Sequence, residues 1–186
     1  FHENSAKRYF IFIREQLMYK RLYFIGIPAY IIMLILAVVF YKERIILLDT
    51  AFNLLHFTIH NSFVVGLYRF GDVFSQVLPV LSCKAGQALD TVVMSYSVGF
   101  MLYYFICYLL CGSVLKQYGF ALIILLQNIL FVSDTFYYIA SPMAQGMAML
   151  VVGLALIANG SVTAKKMLTW VLFPAIMVTV AFYHPM

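Results

Sequence analysis

Charge is what this chain has least of. Of its 186 residues only 10% are Asp, Glu, Lys or Arg, whereas a water-soluble domain of this size carries about a quarter. Apolar residues make up 65%, so too little polar side chain exists to cover a surface facing water. Cysteine is also scarce. Three thiols cannot build a disulfide framework, and their spacing matches no metal-ligand pattern. Cys107 and Cys111, one helical turn apart in an apolar run, read as small hydrophobes. The short alternating segments of a transmembrane β-barrel are missing. So are a Gly-rich phosphate loop, a nucleophile motif and an internal repeat. The charged first 21 residues do not have the layout of a cleavable signal peptide. Because the sequence begins at Phe1 and ends in "FYHPM" directly after an apolar run, it is expected to be part of a longer protein.

What is present is a series of long uncharged runs, which predicts an all-α, polytopic transmembrane helix bundle. Residues 1–21 mix five basic side chains with Phe10, Phe12, Ile11, Ile13 and Leu17, the pattern of an amphipathic helix lying on an anionic membrane face. A transmembrane domain, 22–186, follows. Its expected spans are near 22–40, 92–111, 118–133, 143–158 and 167–183, about five in all. The stretch 41–91 is a long external loop, apolar in patches but interrupted by charge. It reads as two or three short interfacial helices broken around Gly66 and Gly71.

The net charge of +5 does not point to nucleic acid, because the basic residues flank apolar spans as orientation signals do. With the amino terminus in the cytoplasm, Lys7, Arg8, Arg14, Lys20, Arg21, Lys116, Lys165 and Lys166 fall inside. Glu43, Asp49, Asp72, Asp90 and Asp134 then all fall outside. Beyond the first helix, every acid lies on one side of the membrane.

That concentration directs attention to "LLDTAFNLLHFTIHNS", Leu47 to Ser62. If the segment is helical, Asp49, Asn53, His56 and His60 share a stripe about 60° wide, with Ala51, Leu54, Leu55 and Thr58 on the other side. An ionised group in lipid costs about 2.5–3.5 kcal/mol or more, so Asp49 belongs at the interface or against protein. Three readings fit the stripe: the wet face of an interfacial helix, a catalytic wall with Asp49 as general base, or a metal site using His56 and His60. The last has no third firm ligand. Asp134, in "VSDTFYY", opens the second external loop at the same depth as Asp49. The two carboxylates fit a working pair, while Ser133 or Asp134 as a helix cap is the structural alternative. Arg69 suits phosphate or a surface pair with Asp72. Asp90 reads as a helix-start residue, and Gln127 and Asn128 as helix-to-helix hydrogen bonders. The spans lack the chain of ionisable groups that an ion-coupled transporter needs.

This layout resembles the integral-membrane glycosyltransferases of the GT-C type, which take sugars from polyprenyl-phosphate carriers. Asp49 in "LLDTAF" matches the acid that opens the family's first external loop, 50–82 its interfacial helices, and Asp134 in "SDTFYY" its second acidic position. "LYRFGDVFSQVLPVL" also looks like the first loop of bacterial envelope proteins of this sort. In departure from the family, Asp49 is followed by Thr50 rather than a second acid, and members usually have more spans. The resemblance implies sugar transfer to an envelope acceptor on the outer face of the bacterial inner membrane. Asp49 and Asp134 would be catalytic. Arg69, Lys84, His56 and His60 would bind a lipid-linked sugar, and a divalent cation is compatible. The rival readings are a non-enzymatic membrane subunit with protein partners in the bilayer, and a channel or transporter component. They are separated by one observation: whether Asp49, His56 and Asp134 converge on a common cavity.

Overall fold

The five apolar stretches and the external loop all form helices in the computed structural model, which describes residues 2–65, 70–139, 141–159 and 166–183. The helices are α1 (His2–Val39), α2 (Leu48–His60), α3 (Val73–Lys84), α4 (Leu89–Leu109), α5 (Tyr118–Leu130), α6 (Pro142–Asn159) and α7 (Lys166–Ala181). No strand occurs among the described residues. The charged amino-terminal stretch and the first apolar run share α1 without a break.

Three helical stretches are long and apolar enough to cross a membrane: Gln16–Val39, Leu89–Val114 and Pro142–Asn159, with mean hydropathies of 2.6, 1.7 and 1.5. The expected third and fifth spans form shorter apolar helices, α5 at Tyr118–Leu130 and α7 at Lys166–Ala181. A hydrocarbon layer about 30 Å thick needs about 20 helical residues, so these two fall below crossing length as they stand. Three helices of crossing length are therefore present among the described residues.

The bundle is apolar on its outside. On α1, among the described side chains, the buried positions are Tyr23, Gly26, Tyr30 and Ala37, which fall on one face by helical spacing. The exposed positions are Phe24, Ile25, Ile31, Ile32 and Ile35. Across the molecule, buried residues include Tyr96, Tyr104, Tyr108, Ser97, Gln127, Asn128 and Gln145, while Leu, Ile, Phe and Val cover the exterior. Such a surface suits hydrocarbon. In lipid, burying Leu against Leu gains little, so small residues and polar contacts hold helices together.

Tyrosines seated on glycines do much of that work. Tyr23 packs on Gly112 and Tyr108 on Gly26. The two rings stack at 4.9 Å, and the Tyr108 hydroxyl donates to the Tyr23 carbonyl at 2.5 Å. The Tyr23 hydroxyl lies 2.6 Å from Ser113 Oγ. Farther along, Tyr183 fits against Gly71 and Gly146 and donates to the Tyr103 hydroxyl at 3.1 Å. The Tyr103 hydroxyl in turn donates to the Gln145 carbonyl at 2.9 Å.

The loop 41–91 contains α2 and α3, as its apolar patches suggest. Of its two expected breaks, Gly66 lies outside the described residues and Gly71 sits in a short 3-10 turn. Helix α2 ends at Asn61, in the left-handed region with φ 51°, a conformation Asn tolerates better than most residues. The chain beyond is secured by Gln76 of α3, whose side chain accepts from Val64 N–H at 2.8 Å and donates to Val64 C=O at 3.0 Å. Gln76 is itself buried. Replacing it by Leu leaves both backbone groups unpaired, a cost of about 1–3 kcal/mol. The expected result is a lower melting temperature of the purified protein, and an unchanged one would show that Val64 finds other partners.

Candidate functional site

Helix α2 turns inward only two of its residues, Thr50 and Phe57. Leu48, Phe52, Leu55 and Ile59 make an exposed apolar ridge. The polar stripe lies between these faces. Asn53 is half-buried and donates to the Tyr96 hydroxyl at 3.1 Å. Asp49, at the start of the helix, accepts from the Tyr138 hydroxyl at 2.5 Å. Near the other end, the His56 and His60 rings are 4.6 Å apart, with Ser62 Oγ 3.3 Å from His56 Nε2.

Asp134 lies in a turn of π type, Ser133–Tyr137, directly after α5. Such widened turns are rare and occur often at functional sites. Here the turn is closed by Tyr138 N–H donating to the Ser133 carbonyl at 3.0 Å. Thr135, buried, anchors it by donating to the carbonyls of Phe131 at 2.8 Å and Asn128 at 3.2 Å. No side chain caps the turn; Ser133 donates instead to Asp134 itself, at 3.0 Å. Asp134 is thus held in place by its turn and its carboxylate is left at the surface.

Asp49 and Asp134 meet. With Leu47, Leu48 and Tyr138 they line one open depression of about 410 Å³. Asp134 also lines an adjoining slot of about 230 Å³ between α5 and α6, with Gln127, Phe131, Ser141, Met143, Ala144 and Met147. Gln127 donates there to the Ala144 carbonyl at 2.7 Å, the helix-to-helix bond its mid-helix position suggests. Asn128 behaves similarly, donating to the Tyr30 hydroxyl at 3.1 Å.

The other expected site residues are placed differently. His56 and His60 are neighbours of each other but do not line the depression. Lys84 is exposed at the end of α3 and is likewise absent from the lining. Arg69 lies outside the described residues. Asp90 stands in the first turn of α4. Cys107 and Cys111 are buried, free thiols. Among the described residues no group of three or more His, Cys, Asp or Glu could hold a metal ion.

Sequence reasoning missed Arg44. Not singled out among the candidate residues above, it is completely buried. Its Nε donates to the Phe136 carbonyl at 2.6 Å, and its Nη1 to the Ser97 carbonyl at 2.9 Å and Ser97 Oγ at 2.6 Å. The guanidinium carbon lies 4.4 Å from the centre of the Phe136 ring. Burial pushes its pKa down to about 9, so it stays charged at neutral pH.

Compared with known protein families, with curated proteins and with solved structures, the chain has no significant match.

Proposed function

We propose that the chain is an integral-membrane transferase that moves a sugar from a polyprenyl-phosphate carrier to an envelope acceptor at the Asp49–Asp134 depression. One observation carries this reading. Two carboxylates from separate parts of the chain line the same open depression, beside helices suited to a bilayer. In this reading the amino terminus is cytoplasmic, α5 and α7 complete five crossings with the help of their flanking residues, and the depression faces outward from a bacterial inner membrane.

The chemistry requires that an acceptor hydroxyl lose its proton as its oxygen attacks the anomeric carbon. The carbon–oxygen bond to phosphate breaks, and the phosphate leaves with the electron pair. Asp49 takes the proton. The Tyr138 hydroxyl, bonded to one of its oxygens, orients the carboxylate so that the other faces the acceptor. Asp134, in the same depression, accepts hydrogen bonds from sugar hydroxyls. Arg69, outside the described residues, is the proposed partner of the phosphate. A divalent cation fits only loosely, since two carboxylates supply few of the oxygens it needs. Mg²⁺ bound there would rely on water and substrate phosphate for the rest.

The test uses the protein in lipid nanodiscs with a panel of radiolabelled polyprenyl-phosphate sugars and a bacterial envelope glycan extract as acceptor. Label is expected to leave the lipid with the native chain and to stay on it with Asp134→Asn. Absence of both binding and label release across the panel would overturn the reading.

A further inference from the structure

We infer that Arg44 is a positioning residue for the depression, holding the turn that carries Asp134 in register with the segment that leads into Asp49. Only the activity arm of its test depends on the transferase reading above.

The argument begins with cost. A fully buried guanidinium loses its hydration, and an apolar side chain of similar size would fill the same space more cheaply. The Arg44 charge is met by carbonyls, a hydroxyl and an aromatic face, and burial is the sole cause of its pKa shift. Its geometry explains what it accomplishes. Nε reaches Phe136, two residues beyond Asp134 and two before Tyr138. Nη1 reaches Ser97 of α4, whose own hydroxyl donates to the Ala37 carbonyl of α1 at 2.7 Å. One side chain therefore joins the end of α1, the middle of α4 and the Asp134 turn. It does so from a position shortly before Asp49.

The fork of the guanidinium matters here. It donates in two directions from a rigid plane, while a lysine ammonium sits at the end of a flexible stem and does not share that geometry. The remaining nitrogen, Nη2, has no hydrogen-bond partner among the described residues, so it does not tie the group to any further element. Phe136 also presents its ring to the guanidinium, which fixes the plane as well as the position of the turn.

The test reads geometry first. In a background with Cys83, Cys107 and Cys111 replaced by Ala, cysteines are placed at Leu48 and Asp134, both in the depression lining. Asp49 and Tyr138 remain intact. A short bismaleimide is expected to link the two cysteines readily when Arg44 is present. With Arg44→Lys or Arg44→Met the linking rate is expected to fall about tenfold, as loss of a charged hydrogen bond releases the turn. Arg44→Ala given ethylguanidinium is expected to regain most of that rate. Where Arg44→Met fails to fold, Arg44→Lys, which keeps the charge but not the fork, decides the matter. A linking rate in Arg44→Lys equal to that of the parent overturns the inference. If transfer activity is found, Arg44→Lys is expected to lower kcat while leaving KM nearly unchanged. Loss of linking, with no measurable transfer by the native chain, would count against the transferase reading and leave the positioning role standing.

Discussion

Asp49→Asn is expected to lower sugar transfer by about 10²- to 10⁴-fold, the usual contribution of a positioned general base, without changing expression or monodispersity. The substitution suits the question because the amide has the shape of the carboxylate and still offers an oxygen to the Tyr138 hydroxyl, now 2.5 Å from Asp49 Oδ2. What it removes is the capacity to take a proton. Asp49 is exposed and lies outside the buried core, so no loss of packing should accompany the loss of function. Tyr138→Phe gives the matching control. It leaves the base in place but unoriented, and a smaller fall of about tenfold is expected from the loss of one hydrogen bond to a charged group. Rates measured with the radiolabelled donor decide between these outcomes. Unchanged transfer in Asp49→Asn would remove this residue from the mechanism.

Gly112→Ala is expected to destabilise the bundle by about 1–3 kcal/mol, the range for overpacking a well-filled interior, and Gly112→Val by more. A Cβ at this position lands on the Tyr23 ring. Tyr23 has little room to withdraw. It is 1% exposed, stacked on Tyr108, with its hydroxyl bonded to Ser113. Tyr108 is seated against Gly26 of α1, so displacement of one ring is passed to the other. Thermal unfolding in a mild detergent should register the change as a lower melting temperature. Gly119→Ala is the control. Nothing lies within 4 Å of a Cβ there, and Ala is the better helix former by about 0.8–1.0 kcal/mol, so that variant should be neutral or slightly more stable. A pair of variants with equal stability would mean that the sockets are not tight. If crowding by Tyr23 is the cause, adding Tyr23→Leu to Gly112→Ala should recover part of the loss, because contacting residues couple.

Much of the candidate site was legible before the structure, and the reason is topological. Asp49 follows the first apolar run closely and Asp134 follows a later one, so charge bias alone put them on one side. Their meeting in one depression needed the packing of the Ser133–Tyr137 turn against the Glu43–Ile45 turn. No periodicity reports such a contact. Tyr138 was not singled out, because in the aromatic-rich stretch 136–138 the sequence does not show which hydroxyl finds a partner. His56 and His60 were placed on the right stripe, but that stripe is longer than the depression, so sharing a helix face with Asp49 did not bring them to it. The α5 length was overestimated because hydropathy runs on through Phe131 and Val132, whereas the helix ends at Leu130 and the backbone of Phe131 departs from helical angles.

The sequence by itself determined that this is an all-helical chain made for an apolar environment, and where most of its helices lie. Long uncharged runs have no other way to satisfy their backbone groups away from water. Only the tertiary structure decided which faces turn inward, that Arg44 is enclosed, and that two distant aspartates share a wall. In water, burial sorts apolar from polar along each helix and leaves a readable period. In lipid the tails are as apolar as Leu, so that sorting weakens. Inside and outside are then settled by which tyrosine fits which glycine, and that shape complementarity exists only once the helices have come together.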